Sequence, residues 1–142
     1  MSLLKSVVLT VVTTIFVSQS LGGMAMAQDT TNTKAVKIVQ TAGRDRLGDF
    51  APDFARYNDD ILFGEVWSKN DVLSLKERSI VTISSLISMG IVDSSLKYHL
   101  ETAKKNGVTK DEMAEIITQL GFYAGWPKAW AAFNLAKEVY AE

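Results

Sequence analysis

Leu73–Gly107, LSLKERSIVTISSLISMGIVDSSLKYHLETAKKNG, is the stretch whose reading decides the fold. It reads as two consecutive helices. Ser74 and Glu77 have the spacing of a capping box, in which each side chain satisfies a free backbone N–H at the helix start. From Ile80 to Met89 the residues are apolar or small and carry no charge, the pattern of a buried helix. Gly90 supplies a left-handed stop. A second helix restarts near Asp93 and ends at Asn106-Gly107. On it Leu96, His99, Leu100 and Ala103 recur at helical spacing and share a face.

His99 is the only histidine. An imidazole on a core-facing stripe needs a hydrogen-bond partner, because a buried polar group without one is costly. Two readings follow: a satisfied core histidine, or a proton-transfer group in a dry pocket, where titration near neutrality is useful.

Outward toward the N-terminus, Lys34–Ala42 has Ala35, Ile38, Val39 and Ala42 on one side. It is expected to form a short helix ended by Gly43, with Arg44–Asp49 a charged connection. Ala51-Pro52-Asp53 opens the next helix, since Pro is tolerated in a first turn. Phe54, Tyr57, Asn58, Ile61 and Leu62 carry its inner face. Gly64 is expected to interrupt it within Phe63-Gly64-Glu65-Val66-Trp67. Glu65 is then either a solvated carboxylate at a helix end or one held in an apolar pocket with a raised pKa. Arg78 lies where polarity gives way to the apolar run. It is a surface arginine, the partner of a buried carboxylate such as Glu65, or a bidentate anion binder.

Toward the C-terminus, Thr109–Glu112 forms a second capping box with two acids in its first turn. Met113, Ile116, Ile117 and Leu120 make the core stripe of that helix. Gln119 is either a surface amide or a lining residue of the His99 cavity. In Phe122–Pro127, Gly125 stops one helix and Pro127 presets the next, which runs over Lys128–Tyr140. Tyr123 and Trp126 are candidate substrate contacts, weighed against core or subunit-interface packing. No stretch reads as a strand. The fold class is all-α, with five or six helices.

The chain has 142 residues, no cysteine and a formal net charge of −1. Without cysteine there are no disulfides, thiolate nucleophiles or thiolate metal sites. One histidine excludes a His-rich metal site within a chain. The absence of a basic cluster argues against nucleic acid as a partner. Residues 1–27 differ from the rest: Lys5 is their only charge, Val7–Val17 is an apolar core, and Ala25-Met26-Ala27 offers a small-x-small cleavage pattern. This is the layout of a signal peptide. The apolar run falls short of the roughly 20 residues of a spanning helix. The expected organisation is a signal peptide over 1–27, an N-terminal extension over 28–43 and a helical domain over 44–142. The mature protein is expected to be periplasmic or secreted, free of the membrane. A helical core this small gains from oligomerisation.

Taken together, FGEVWS (63–68), LSLKERSIVTISSLISMG (73–90), LKYHLETAKKNGVTKDEMAEII (96–117) and QLGFYAGWPKAWAAFNLAKEVY (119–140) resemble the carboxymuconolactone decarboxylase family, within the alkylhydroperoxidase D-like superfamily. The resemblance runs from about Arg44 to Glu142. It rests on the order and spacing of Arg78, His99, Asn106-Gly107, Tyr123, Gly125 and Pro127. It implies an all-helical domain that forms homo-oligomers, trimers or hexamers, with active sites near subunit interfaces. The peroxidase branch of the superfamily uses a Cys-x-x-Cys couple that this chain lacks.

The decarboxylase branch is a group of carboxy-lyases that convert γ-carboxymuconolactone to the enol-lactone of 3-oxoadipate in aromatic-compound catabolism. Its motif residues fall on Glu65, Arg78 and His99. The implied roles are His99 as acid or carbonyl polariser, Arg78 as carboxylate holder, and Glu65 as orienting group or proton shuttle. No cofactor is needed, because the extended carbonyl system is the electron sink. That pathway is usually cytoplasmic, so an export signal points to another small carboxylated lactone or carbonyl compound. A non-catalytic ligand-binding or assembly protein on the same scaffold is the alternative.

Overall fold

The computed structural model describes residues 34–141; the expected signal peptide lies outside them. Among the described residues there are six α-helices and no strand: α1 (Ala42–Leu47), α2 (Pro52–Arg56), α3 (Leu75–Met89), α4 (Ser94–Lys105), α5 (Lys110–Ala124) and α6 (Trp126–Val139). α2 runs on without a break as a π-helix over Tyr57–Trp67. No helix among these residues is long and apolar enough to cross a membrane.

Helices α3–α6 make the core. Both capping boxes form: Ser74 Oγ accepts from the Glu77 N–H while Glu77 accepts from the Ser74 N–H, and Thr109 and Glu112 repeat the exchange. Gly90 ends α3 at φ 81°, a left-handed conformation costly for any residue with a Cβ. The helices bury Ile83, Ile87, Leu96, Leu100, Met113 and Ile117 against Ala129, Ala132 and Ala136 of α6. Each large side chain removed from water in this way contributes about 1.5–3 kcal/mol. The small residues of α6 let its backbone approach α5 closely. Polar ties close the bundle: the Tyr140 hydroxyl donates to the Val108 carbonyl at 3.0 Å. Asn106 Nδ2 donates to the buried Ser79 Oγ at 2.9 Å, joining the end of α4 to α3.

The N-terminal layer departs from the sequence expectation in two places. Residues 34–41 are extended, and the short helix expected there forms later, over Ala42–Leu47. Tertiary hydrogen bonds decide this. The Val36 N–H donates to Asn70 Oδ1 at 2.8 Å, Asn70 Nδ2 donates back to the Val36 carbonyl at 2.7 Å, and the Ile38 N–H donates to Ser68 Oγ at 2.8 Å. These bonds replace the intrahelical ones, and the β-branched Val36, Ile38 and Val39 are weak helix formers that lose little by extending. Gly43 therefore lies in the first turn of α1 instead of ending a helix. The second departure is Gly64. It does not interrupt its helix, which continues through it in π geometry, and its carbonyl accepts from Lys37 Nζ at 2.6 Å.

Candidate active site

The cavity that holds His99 lies where α1 and the α2–π-helix meet α4. Gln40, Ala42, Gly43, Arg46, Leu47, Phe54, Asn58, Leu62, Phe63, Tyr98 and His99 line it, and it has a volume of about 390 Å³, within the usual range for small-molecule sites. Phe54, Leu47, Leu62 and Phe63 make its walls mostly apolar. The π-helix has a part in this. Its wider i→i+5 bonding brings residues four and five apart toward one face, and Asn58, Leu62 and Phe63 all reach the cavity.

Asp59 holds the wall together. It is 2 % exposed, and its carboxylate accepts from the Gly43 N–H at 2.9 Å, the Arg44 N–H at 3.0 Å and Asn58 Nδ2 at 2.9 Å. Arg44 Nη1 adds an ion pair at 3.3 Å, and its Nη2 reaches Asp60 at 2.6 Å. Burial alone would raise the Asp59 pKa. The hydrogen bonds and the Arg44 charge outweigh it and hold the carboxyl below its ordinary value. The result is a clamp that fixes α1 on the π-helix.

His99 is half-buried at the edge of the α4 stripe, whose Leu96, Leu100 and Ala103 are fully inside. Tyr98 meets its ring edge-on, with centroids 5.2 Å apart. Among the described residues the imidazole nitrogens have no hydrogen-bond partner, so this is not the satisfied core histidine that the stripe pattern allows. Burial lowers its pKa from 6.5, which keeps the ring neutral at pH 7. Gln40 Oε1 accepts from the Thr41 and Ala42 N–H groups at 3.0 and 3.1 Å. Its amide nitrogen is thereby left without a protein acceptor among the described residues. The site thus combines a neutral imidazole and a spare amide donor in an apolar hollow, with the exposed Arg46 on its lining. Donors aimed into a low-dielectric space are what stabilises a developing oxyanion.

The other expected site residues lie outside this lining in a single chain. Glu65 is exposed and makes no ion pair among the described residues. Arg78 donates from Nη2 to the Lys69 carbonyl at 2.9 Å, and its Nε is buried without a partner. Gln119 is exposed, as are Tyr123 at 84 % and Trp126 at 54 %. Trp126 borders a smaller hollow with Thr118, Ala129, Trp130 and Phe133. The site residues that sequence reasoning missed are Gln40, Arg46 and Asn58. Asn58 carried a signal, its place on the inner face of its helix; Gln40 and Arg46 carried none, because long-range bonds bring their segment to His99. No group of three or more His, Cys, Asp or Glu side chains arranged to hold a metal occurs among the described residues.

Comparison with known proteins agrees with this architecture. The model of the carboxymuconolactone decarboxylase family matches residues 52–138. A 4-carboxymuconolactone decarboxylase of Acinetobacter baylyi is 41% identical over 98 residues, which is 69% of this chain and 72% of that protein. An uncharacterized 15.0 kDa protein of Paracoccus denitrificans is 32% identical over 81 residues, 56% of this chain and 60% of its own length. The match spans α2 to α6 and includes His99, and the cysteine-free chain belongs to the carboxymuconolactone decarboxylase family.

Proposed function

We propose that the protein decarboxylates a small carboxylated lactone or a related carbonyl compound, with His99 at the reacting carbonyl. The observation that carries this is the unpartnered, neutral imidazole facing an apolar cavity that no carboxylate lines. Loss of CO₂ breaks a carbon–carbon bond and sends its electron pair into the conjugated lactone carbonyl. The dienolate oxygen needs a hydrogen-bond donor, and the carbon then takes up one proton, ultimately from solvent. A neutral His99 N–H and the Gln40 amide supply donors without adding charge to the pocket. The extended carbonyl is the electron sink, so the step needs no cofactor.

The working form in this proposal is a homo-oligomer, a trimer or hexamer. Phe122, Tyr123, Trp126 and Trp130 stay exposed in one chain, at 78 %, 84 %, 54 % and 63 %, and large exposed apolar patches mark association surfaces. Glu65, Arg78, Gln119, Tyr123 and Trp126 reach the chemistry from a neighbouring subunit in this reading. Export to the periplasm or beyond is part of the same proposal, supported by the Lys5, Val7–Val17 and Ala25-Met26-Ala27 pattern.

The test is turnover of γ-carboxymuconolactone, followed by CO₂ release and ultraviolet absorbance, for the parent and His99→Ala. The expected loss in the variant is at least about 10²-fold, the usual scale for a removed acid–base or polarising group. A folded parent without turnover removes this substrate from the proposal.

A further inference from the structure

We infer that Arg46 is the residue that binds the substrate carboxylate, holding an anion between two hollows that share His99. This rests on the reading of the His99 cavity as the lactone site. Arg46 lies in the last turn of α1 and lines the cavity described above. It also lines a second hollow with Ser94, Ser95, Tyr98 and His99. Arg46, Tyr98 and His99 are common to both, so a molecule seated at the imidazole is in a hollow that Arg46 lines, whichever of the two its body fills.

The charge distribution singles out Arg46. Arg44, two residues earlier, is committed to Asp59 and Asp60. Arg46 has no acid partner among the described residues, and no Asp or Glu lines either hollow. The nearby Asp93 accepts the Ser95 N–H as the α4 cap and lies outside both linings. With His99 neutral, Arg46 is the cation of the site, free to present its planar fork to a carboxylate. Arg78, the other candidate, spends Nη2 on the Lys69 carbonyl and lines neither hollow. Arg46 also precedes the family-matched residues, which begin at 52, so this anion contact is supplied by the N-terminal layer that the Asp59 clamp holds in place.

The test uses the full chain labelled with ¹⁵N-histidine, in which every imidazole signal belongs to His99. The probes are 5-oxotetrahydrofuran-2-carboxylate and its neutral methyl ester, titrated against parent, Arg46→Gln and Arg46→Lys, with circular dichroism to check folding. The expected result is that the acid shifts the His99 signals at lower concentration than the ester. Arg46→Gln should weaken the acid about tenfold and leave the ester unchanged, the scale of one charge-assisted contact; Arg46→Lys should recover part of the loss. If Arg46→Gln binds the acid as the parent does, or the parent does not distinguish acid from ester, the role of Arg46 is overturned and the cavity reading stands. If neither probe moves the His99 signals of the parent, the cavity reading fails and this inference with it.

Discussion

The Gly43 N–H donates to Asp59 Oδ1 at 2.9 Å, and a Cβ added to Gly43 would stand 2.7 Å from that same oxygen. The hydrogen bond and the missing side chain are therefore one device. The contact that anchors α1 exists only because residue 43 has nothing to put between its backbone and the carboxylate. The Ala55 carbonyl, 2.8 Å from the same added carbon, blocks the alternative of sliding sideways.

Gly43→Ala should therefore dislodge α1. Overpacking of a tight site costs about 1–3 kcal/mol, and here both obstacles are a buried carboxylate and backbone, neither of which yields easily. The expected outcome is a melting temperature lower by several degrees and a faster loss of amide protection in residues 42–47 than in α3–α6. Unchanged protection in that segment would show that the clamp does not hold it.

Asp59→Asn tests the other half of the clamp. An amide nitrogen would face the N–H of Gly43 or Arg44, donor against donor, and the Arg44 pair would lose its charge. The parent carboxyl is held below its ordinary 3.8. Its contribution is thus complete above that pH and lost as pH falls through the lower folded value. Melting curves should show the variant less stable at pH 7, with the gap narrowing below about pH 4. A gap that stays constant into acid would mean the charge state of Asp59 has no part in stability.

The His99 titration follows from the opposite sign. Burial disfavours the imidazolium, so the folded midpoint lies below 6.5. Between the two values the unfolded chain takes up a proton that the folded chain refuses, and stability falls slightly as pH drops through that window. The imidazole signals of the untagged protein should titrate with a midpoint under 6.5. If the neutral ring is the working donor, kcat/KM should be flat above that pH and fall on the acid side with the same midpoint. A midpoint above 6.5 would overturn the effect of burial, and a rate that rises with acidity would make the imidazolium the active form.

How much of this was legible in the sequence depends on the range of the interaction involved. The capping boxes at Ser74 and Thr109, the stop at Gly90 and the Gly125-Trp126-Pro127 break are decided within a few residues, and all were readable. His99 was readable as a residue of interest because its spacing with Leu96 and Leu100 is local. The N-terminal layer was not. Whether Val36 is helical or extended is decided by Asn70, 34 residues away, and apolar spacing over Lys34–Ala42 carries no trace of that partner. Gly64 misled for a related reason: glycine weakens a helix locally, but here Lys37 and Ser68 bond to the widened turns around it. Arg46 read as one charge in a polar connection, and only the Asp59 clamp brings it to the cavity. Arg78 and Glu65 illustrate the converse: they were legible as charges of interest in the sequence, and neither lines the hollows that His99 lines in a single chain.

The exposed aromatic face gives the last prediction. Phe122 and Trp126 pack edge-on at 5.6 Å. The Trp126 ring also lies over Gly121, where a Cβ would come within 2.8 Å of it. These contacts fix the tryptophan in place, and its outer surface and that of Trp130 are left to water. Rigid aromatic surface of this kind is costly to leave solvated and characteristic of interface centres. Trp130→Glu changes a residue that is 63 % exposed in one chain, so the variant should fold with a near-native circular dichroism spectrum. It places a charge in the centre of the proposed contact, where an unpaired buried charge is strongly unfavourable. Light scattering on a sizing column should then show the parent as a multiple of the 15.6 kDa chain, or of its processed form, and the variant as a smaller species. A parent that elutes as a monomer would end the subunit-interface reading and leave the aromatic face to a different partner. A variant that remains fully assembled would move the interface elsewhere on the molecule.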